Sequence, residues 1–428
     1  MNATLACNTY NAHSVADGGE EGDVTTGRAE WNVRRLCWDA SIAERTFSQL
    51  CDICPVVSSR LPTELWDHII DFIADDDIYD MRRLGQVCHG WHAQCRFRSY
   101  ERLRMRRMDK KEMYHLMSTL CKHPEQCGAV ETVLFDFELR SIGLLGSFAV
   151  RMVQKLPRVE SLKLWHCTWE TGQLHAQVLL HVTLTFGSVT KLELFNVTFP
   201  SAVVFGRLLR ALPRLASLKC WYVQFKKGCH VEGVVRVPLG SLQLDVVDLY
   251  DSDDVFDLLA SIGVHLRHLI CHGHHLRKHS KLLALSAKSL LSLEVRDIHE
   301  VPSIDLTPAL NLRVLSFNND LEDIAKAASL LSRTSLPKLA EVIIKSRPAT
   351  RGRLVSVQDT LNSIDDCGFP RMDRILSGRQ FPALRKVTLL LRCFAEDSSE
   401  AMDVISEASW RTLLSSRLPA LHASGRLL

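Results

Sequence analysis

Residues 156–164 read Leu-Pro-Arg-Val-Glu-Ser-Leu-Lys-Leu, and their internal spacing decides the fold. Val159, Leu162 and Leu164 follow the pattern apolar-x-x-apolar-x-apolar. The pattern recurs as Val130-Val133-Phe135, Val189-Leu192-Leu194, Leu215-Leu218-Cys220, Leu239-Leu242-Leu244 and Leu266-Leu269-Cys271. It continues as Leu290-Leu293-Val295, Leu312-Leu315-Phe317, Leu339-Val342-Ile344 and Leu384-Val387-Leu389. Successive centres stand 22 to 30 positions apart, and 45 apart at the last step. Self-similarity at such a period is the mark of a stacked repeat array.

The chemistry of one unit explains the stacking. In Leu-x-Leu along a strand, the leucines point to one face and the intervening residue to the other. A single unit cannot bury its apolar face, so neighbours must share a core. Proline often precedes the unit, as at Pro157, Pro213, Pro337 and Pro382, where it ends the previous helix. Segments between units, such as SAVVFGRLLRAL and LEDIAKAASLLSR, carry helical periodicity. The units resemble leucine-rich repeats. The Asn or Cys that the family places three residues past the last leucine appears once, at Cys167. The resemblance implies an α/β fold, a curved and irregular solenoid of parallel strands plus helices over residues 126–428. An insertion falls near 346–380, and LPALHASGRLL is expected to close the C-terminal end. The residues expected to face a target from the strands are Lys163, Glu193, Lys219, Gln243, Ile270, Glu294, Ser316, Ile343 and Thr388. They mix both charge signs with apolar groups, which suits a protein or peptide partner.

Residues 60–95 have a different character: RLPTELWDHIIDFIADDDIYDMRRLGQVCHGWHAQC. Pro62 suits the first position of a helix. Leu65, Ile69 and Ile73 fall at i, i+4 and i+8, with Trp66 and Ile70 beside them, giving one broad apolar face. Met81, Leu84, Cys88 and Trp91 mark a second helix. Two short helices with wide apolar faces are too small to be stable alone. Leu61-Pro62-x-Glu64-Leu65-x-x-x-Ile69-Ile70-x-x-Ile73, then Val87-Cys88-x-x-Trp91, is similar to the F-box of fungal F-box proteins. The likeness spans about 40 of the 428 residues, and Gly85 and Gly90 depart from a regular second helix.

The F-box resemblance implies a helical module at 58–100 that docks on a Skp-type adaptor and, through it, on a cullin–RING ubiquitin ligase. Leu61, Pro62, Leu65, Ile69, Ile70, Val87, Cys88 and Trp91 would contribute the adaptor-binding surface. The chain would then be a non-catalytic substrate receptor, with an unidentified protein as its target. The alternative is a repeat scaffold whose front module only caps the array.

Composition sets the outer limits. The chain holds 64 leucines, 58 of them after residue 100, which separates a leucine-poor front from a leucine-rich body. Residues 1–57 include GGEEGDVTTG and read as a flexible segment. Residues 101–125 open on the basic run RLRMRRMDKK and read as a basic helical linker. A net charge of +3 argues against a general nucleic-acid binder. No apolar run reaches 18 residues, so no membrane partner is expected. Fourteen cysteines without a repeated spacing and no secretory signal read as reduced thiols, in the cytoplasm, the nucleus or both.

Signatures of catalysis are absent: there is no Gly-x-x-x-x-Gly-Lys-[Ser/Thr], Gly-x-Gly-x-x-Gly, His-Glu-x-x-His or Gly-x-Ser-x-Gly. Two clusters touch on metal chemistry. Cys51 and Cys54 form a lone Cys-x-x-Cys with no second pair at zinc-finger distance. His265, His268, His272, His274, His275 and His279 crowd around Cys271. They fall on a repeat strand and its turn, so ordinary surface histidines are expected, with no metal and no cofactor.

Overall fold

The computed structural model describes residues 65–427 apart from 67, 71–83, 86–88, 139–141, 171, 173–175, 227–241, 279, 299–304, 321–322, 348–367 and 392–406. Eleven strands run through the described residues, ordered in the sheet as in the chain. The pairings within β1–β4 and within β5–β11 are parallel. This is an α/β repeat, with described helices returning the chain between most successive strands.

The described residues of Gly18–Leu215 and Tyr222–Gly228 form one compact unit. It holds α1 (His89–Glu101), β1 (Arg102–Arg106), α2 (Lys110–Lys122), α3 (Pro124–Ala129), β2 (Thr132–Asp136), α4 (Gly143–Arg151), β3 (Ser161–Thr168), α5 (Ala176–Phe186), β4 (Lys191–Phe199) and α6 (Ala202–Arg210). Val133, Leu162 and Leu192 are register partners and all lie in the core. A layer of phenylalanines fills the space behind the strands. Phe148 on α4 meets Phe135 edge-on at 5.3 Å and Phe186 on α5 at 6.1 Å.

The described residues of Ala216–Trp221 and Cys229–Leu428 form the other unit. Its elements begin with β5 (Ser217–Phe225), whose last residues belong to the first unit, then β6 (Gln243–Tyr250), α7 (Asp253–Ile262), β7 (His265–His272), α8 (Gly273–Lys278), α9 (Ser280–Ser286) and β8 (Ser292–Arg296). They continue with β9 (Val314–Asp320), α10 (Ile324–Ser332), β10 (Glu341–Arg347), α11 (Phe369–Ser377), β11 (Lys386–Leu391), α12 (Glu407–Arg417) and α13 (Pro419–Ala423). Leu269, Leu293, Leu315, Val342 and Val387 form one continuous row of register partners, all buried. The expected closing segment is a cap: Leu418 and Leu421 are fully buried, and Leu427 bridges Val387 in parallel.

Three expectations change. The basic stretch expected to begin a helical linker opens as strand β1, because Leu103 and Met105 alternate with exposed or half-buried arginines. Leu103 is the register partner of Val133, so the array has one more strand than its leucine pattern announces. At β6 the core residues are Leu244, Val247 and Leu249; of the expected Leu239, Leu242 and Leu244, only Leu244 is among them, Leu242 is half-buried, and Leu239 lies outside the described residues. The competing leucines misled the spacing because a valine, Val247, fills the central position. Inside the expected insertion, α11 is a regular repeat helix packed on α10. Residues 348–367 of that insertion lie outside the described residues.

Six of the strands share a recurrent left-handed step. Arg107, His166, Asn196, Tyr222, Asp251 and Asp297 all have positive φ, each two residues past the last strand-core side chain. This left-handed step lets the next side chain return to the core, as Cys167, Val197, Val223 and Ile298 do. In these repeats the position that Cys167 occupies is therefore filled as well, mostly by aliphatic residues. In β6 it is Ser252, whose hydroxyl lies 3.1 Å from the Cys220 carbonyl and 2.8 Å from that of Tyr250.

Candidate functional site

The helical front of the first unit splits its apolar residues between two faces. Leu65, Trp66, His68, Ile69 and Ile70 are helical. Leu65 and Ile69 are 46% and 37% exposed, one turn apart on the same side. Ile70 is 1% exposed and packs with Cys95 of α1, Leu84 and Trp91 into a small core of its own. Trp66 tilts against Trp91 with ring centroids 4.3 Å apart. Of the expected adaptor-facing residues, Leu65 and Ile69 therefore lie open. Ile70 does not: it is spent on the module's own packing, and Trp91 is half-buried beside it. Leu61, Pro62, Val87 and Cys88 lie outside the described residues.

The strand faces away from the core carry two parallel rows. The first is largely the expected one. Lys163 and Glu193 are register partners and form an ion pair at 3.1 Å. In the second unit Ile270, Glu294, Ser316, Ile343 and Thr388 lie side by side. Gln243 does not join them. The shifted register of β6 puts Asp248 between Lys219 and Ile270, and leaves Gln243 near the strand's start. Ser316 is buried, and neither its Oγ nor Thr388 Oγ1 has a hydrogen-bond partner in the structure.

The second row, two residues further along each strand, is the one the sequence reading missed. In the first unit it runs Asp136, Trp165, Phe195. Phe195 meets Trp165 at 6.1 Å and Tyr222 edge-on at 5.8 Å. Asp136 is buried and lies 2.9 Å from His166 Nδ1 and 3.3 Å from Arg106. In the second unit Trp221 pairs with Tyr250, whose ring lies 4.3 Å from His272, followed by Arg296, Asn318, Lys345 and Leu390. The signal was available: each residue directly follows the last apolar residue of its unit. Aromatic side chains and arginine are the types that most often anchor protein interfaces.

A charge network joins the two rows. Trp221 Nε1 donates to Asp248 at 3.2 Å, and Lys219 sits over the Trp221 ring at 4.2 Å. Arg296 contacts both Asp248 and Glu294, and Lys345 reaches Glu294 at 2.5 Å. Burial pushes the Asp248 carboxyl above the usual range, against the pull of Arg296, Trp221 and Lys219. Burial also opposes ionisation of Glu294, but Lys345 and Arg296 outweigh it and hold its carboxyl below the usual range.

The histidine-rich segment is not a plain surface turn. Cys271 is in the core and His268 is exposed, as the strand pattern requires. His275, however, is only 3% exposed and stacks on Phe256 at 5.3 Å. Its Nδ1 lies 3.1 Å from Asp253, and its Nε2 accepts the Asp251 backbone N–H at 3.1 Å. Burial, then neighbouring His274, brings its pKa down to about 4, so the ring is neutral at pH 7. The burial of His275 was missed because α8 begins at Gly273 and turns this ring inward.

No protein-family model matches the chain, and no curated protein matches it. Among solved structures, a crystal structure of the Rad7 and Elc1 complex in yeast is similar at 11% identity and a TM-score of 0.33, over 91% of this chain and 100% of that chain.

The buried thiols give no activated nucleophile among themselves. Burial pushes Cys167 up to about 12, and raises Cys127, Cys220 and Cys271 as well. A reactive cysteine needs the opposite, an accessible thiol stabilised as thiolate. What the outward rows and the open helix face offer is contact area.

Proposed function

We propose that this chain is the non-catalytic substrate-recognition subunit of a Skp–cullin–F-box type ubiquitin ligase, acting in the cytoplasm, the nucleus or both. The front module holds a Skp-type adaptor, and a leucine-rich-repeat-like solenoid holds a protein target. The observation that carries this reading is the division of labour in one short helix. Ile70 secures the module from within, while Leu65 and Ile69 stay open for a second polypeptide. The chain makes and breaks no bonds. It raises the effective concentration of a target lysine beside the ubiquitin-transfer machinery. Each unit offers its own target-facing aromatics, Trp165 and Phe195 in the first and Trp221 and Tyr250 in the second, with the charges that flank them.

Co-purification with a Skp-type adaptor tests the reading. Leu65→Asp and Ile69→Asp should each weaken adaptor binding by about 100-fold, as for the centre of an interface. Leu180→Asp, at an exposed position of α5, should leave it unchanged. Undiminished binding in both front variants overturns the proposal. One observation favours the scaffold alternative: α1, which packs Cys95 on Ile70, leads directly into β1. A module that only caps β1 would bring down no adaptor.

A further inference from the structure

We propose that Asp251, His274 and His275 form a zinc site that ties the exit of β6 to the start of α8. The three side chains offer one carboxylate oxygen and two imidazole nitrogens, all within 4.8 Å of one another. Asp251 Oδ1 lies 3.3 Å from His275 Nε2 and 3.6 Å from His274 Nε2. A tetrahedral zinc ion with bonds of about 2.0–2.1 Å has ligand–ligand edges of about 3.3–3.4 Å. These two separations are close to such edges before any ion is present.

The atoms are also prepared chemically. His275 Nδ1 lies 3.1 Å from Asp253 Oδ1, the partner that leaves the ring proton on Nδ1 and the lone pair on Nε2. Asp253 is in turn held by Lys278. The Nε2 lone pair already faces Asp251, whose backbone N–H it accepts; the ion takes that lone pair over. The positive φ of Asp251 turns this residue at the strand end, where its amide and carboxylate both meet the histidine. His274 is half exposed and gives the ion a way in from solvent. Two imidazoles and one carboxylate suit zinc better than calcium or magnesium, which prefer all-oxygen sets. Three protein ligands leave one tetrahedral position for water.

The experiment uses the full chain, with any histidine tag removed and metal stripped by chelator. Zinc chloride is then titrated by calorimetry, and cobalt(II) is substituted to read its visible ligand-field bands. The wild type should bind one zinc tightly and show the intense bands of a tetrahedral cobalt site. His274→Ala and Asp251→Asn should each weaken zinc by at least about 10- to 100-fold and abolish those bands. His268→Ala, on the open strand face, should match the wild type. Since His274 is exposed, its variant keeps the fold, which circular dichroism verifies. Zinc should also raise the melting temperature of the wild type and leave that of His274→Ala unmoved. A wild type that retains no zinc, or His274→Ala and Asp251→Asn variants that bind it equally well, overturns the site.

Discussion

Arg296 on β8 reaches across β7 to Asp248 on β6, with Nη1 3.3 Å from Oδ1 and Nη2 3.4 Å from Oδ2. The two residues are separated by 48 positions in the chain, and the contact spans three repeats. Asp248 is only 8% exposed, so its charge depends on this partner and on the Trp221 N–H. Removing Arg296 strands a buried carboxylate, which costs several kcal/mol in a sealed interior and less here, where Arg296 keeps some solvent contact. Arg296→Ala should therefore destabilise the fold by about 2 kcal/mol in urea titration. Adding Asp248→Asn should recover part of the loss, because the stranded charge is gone. Simple additivity of the two substitutions would show that the pair is not coupled.

Glu294 predicts a pH signature. Its folded carboxyl titrates below the usual glutamate range, since Lys345 and Arg296 outweigh burial. A depressed carboxylate contributes stability that is present above its unfolded pKa and lost as pH falls through its folded value. Glu294→Gln should thus be less stable than the wild type at pH 7 by about 1–2 kcal/mol. The gap should narrow as the pH drops below the ordinary glutamate range. Unfolding curves collected from pH 7 to pH 3 measure it, and a gap that widens on acidification would contradict the assignment.

Ile70 and Leu65 sit five residues apart and should behave oppositely. Ile70→Ala removes a buried side chain from a core of only a few residues, a loss of about 2–4 kcal/mol. It should expose the front module to protease while the repeat strands stay protected from hydrogen exchange. Leu65→Ala touches an open face and should change stability by no more than about 0.5 kcal/mol. If both variants are equally sensitive to protease, the two faces have been assigned wrongly.

The same pair shows how far the sequence could be read. Strand cores were legible wherever the central position was leucine, because only a stacked array needs that residue at a fixed period. The reading failed at β1, where Leu103 is surrounded by arginine, and at β6, where Val247 yields to nearby leucines in a count of spacing. It could not tell Ile69 from Ile70. A helical face 100° wide accepts both, and only the position of Cys95 on α1 decides which one is buried. The aromatic second row went unnoticed because its residues differ from repeat to repeat. The histidine cluster looked solvated because the helix that turns His275 onto Phe256 begins at a glycine, a residue with low helix propensity.

Asp373 on α11 caps a helix that is far away in the chain. Its Oδ2 accepts the Ala420 N–H at 3.0 Å and its Oδ1 the Leu421 N–H at 2.8 Å. These are early amides of α13, whose own N-cap, Leu418, has no side chain able to accept them. Pro419 brings no N–H at all, so one carboxylate serves the helix start. The cap then carries through to the last strand, where the Val387 N–H donates to the Arg426 carbonyl at 2.7 Å. Asp373→Ala removes the acceptor of a buried amide, Leu421, and of a part-buried one, Ala420, and should cost about 1–3 kcal/mol. Hydrogen exchange should speed up over residues 418–427 and at the Val387 amide, with the strands from β6 to β9 unchanged. Asp373→Asn keeps one accepting oxygen and should show a smaller effect. Equal protection of Val387 in the wild type and Asp373→Ala would mean that the C-terminal segment holds the last strand without this carboxylate.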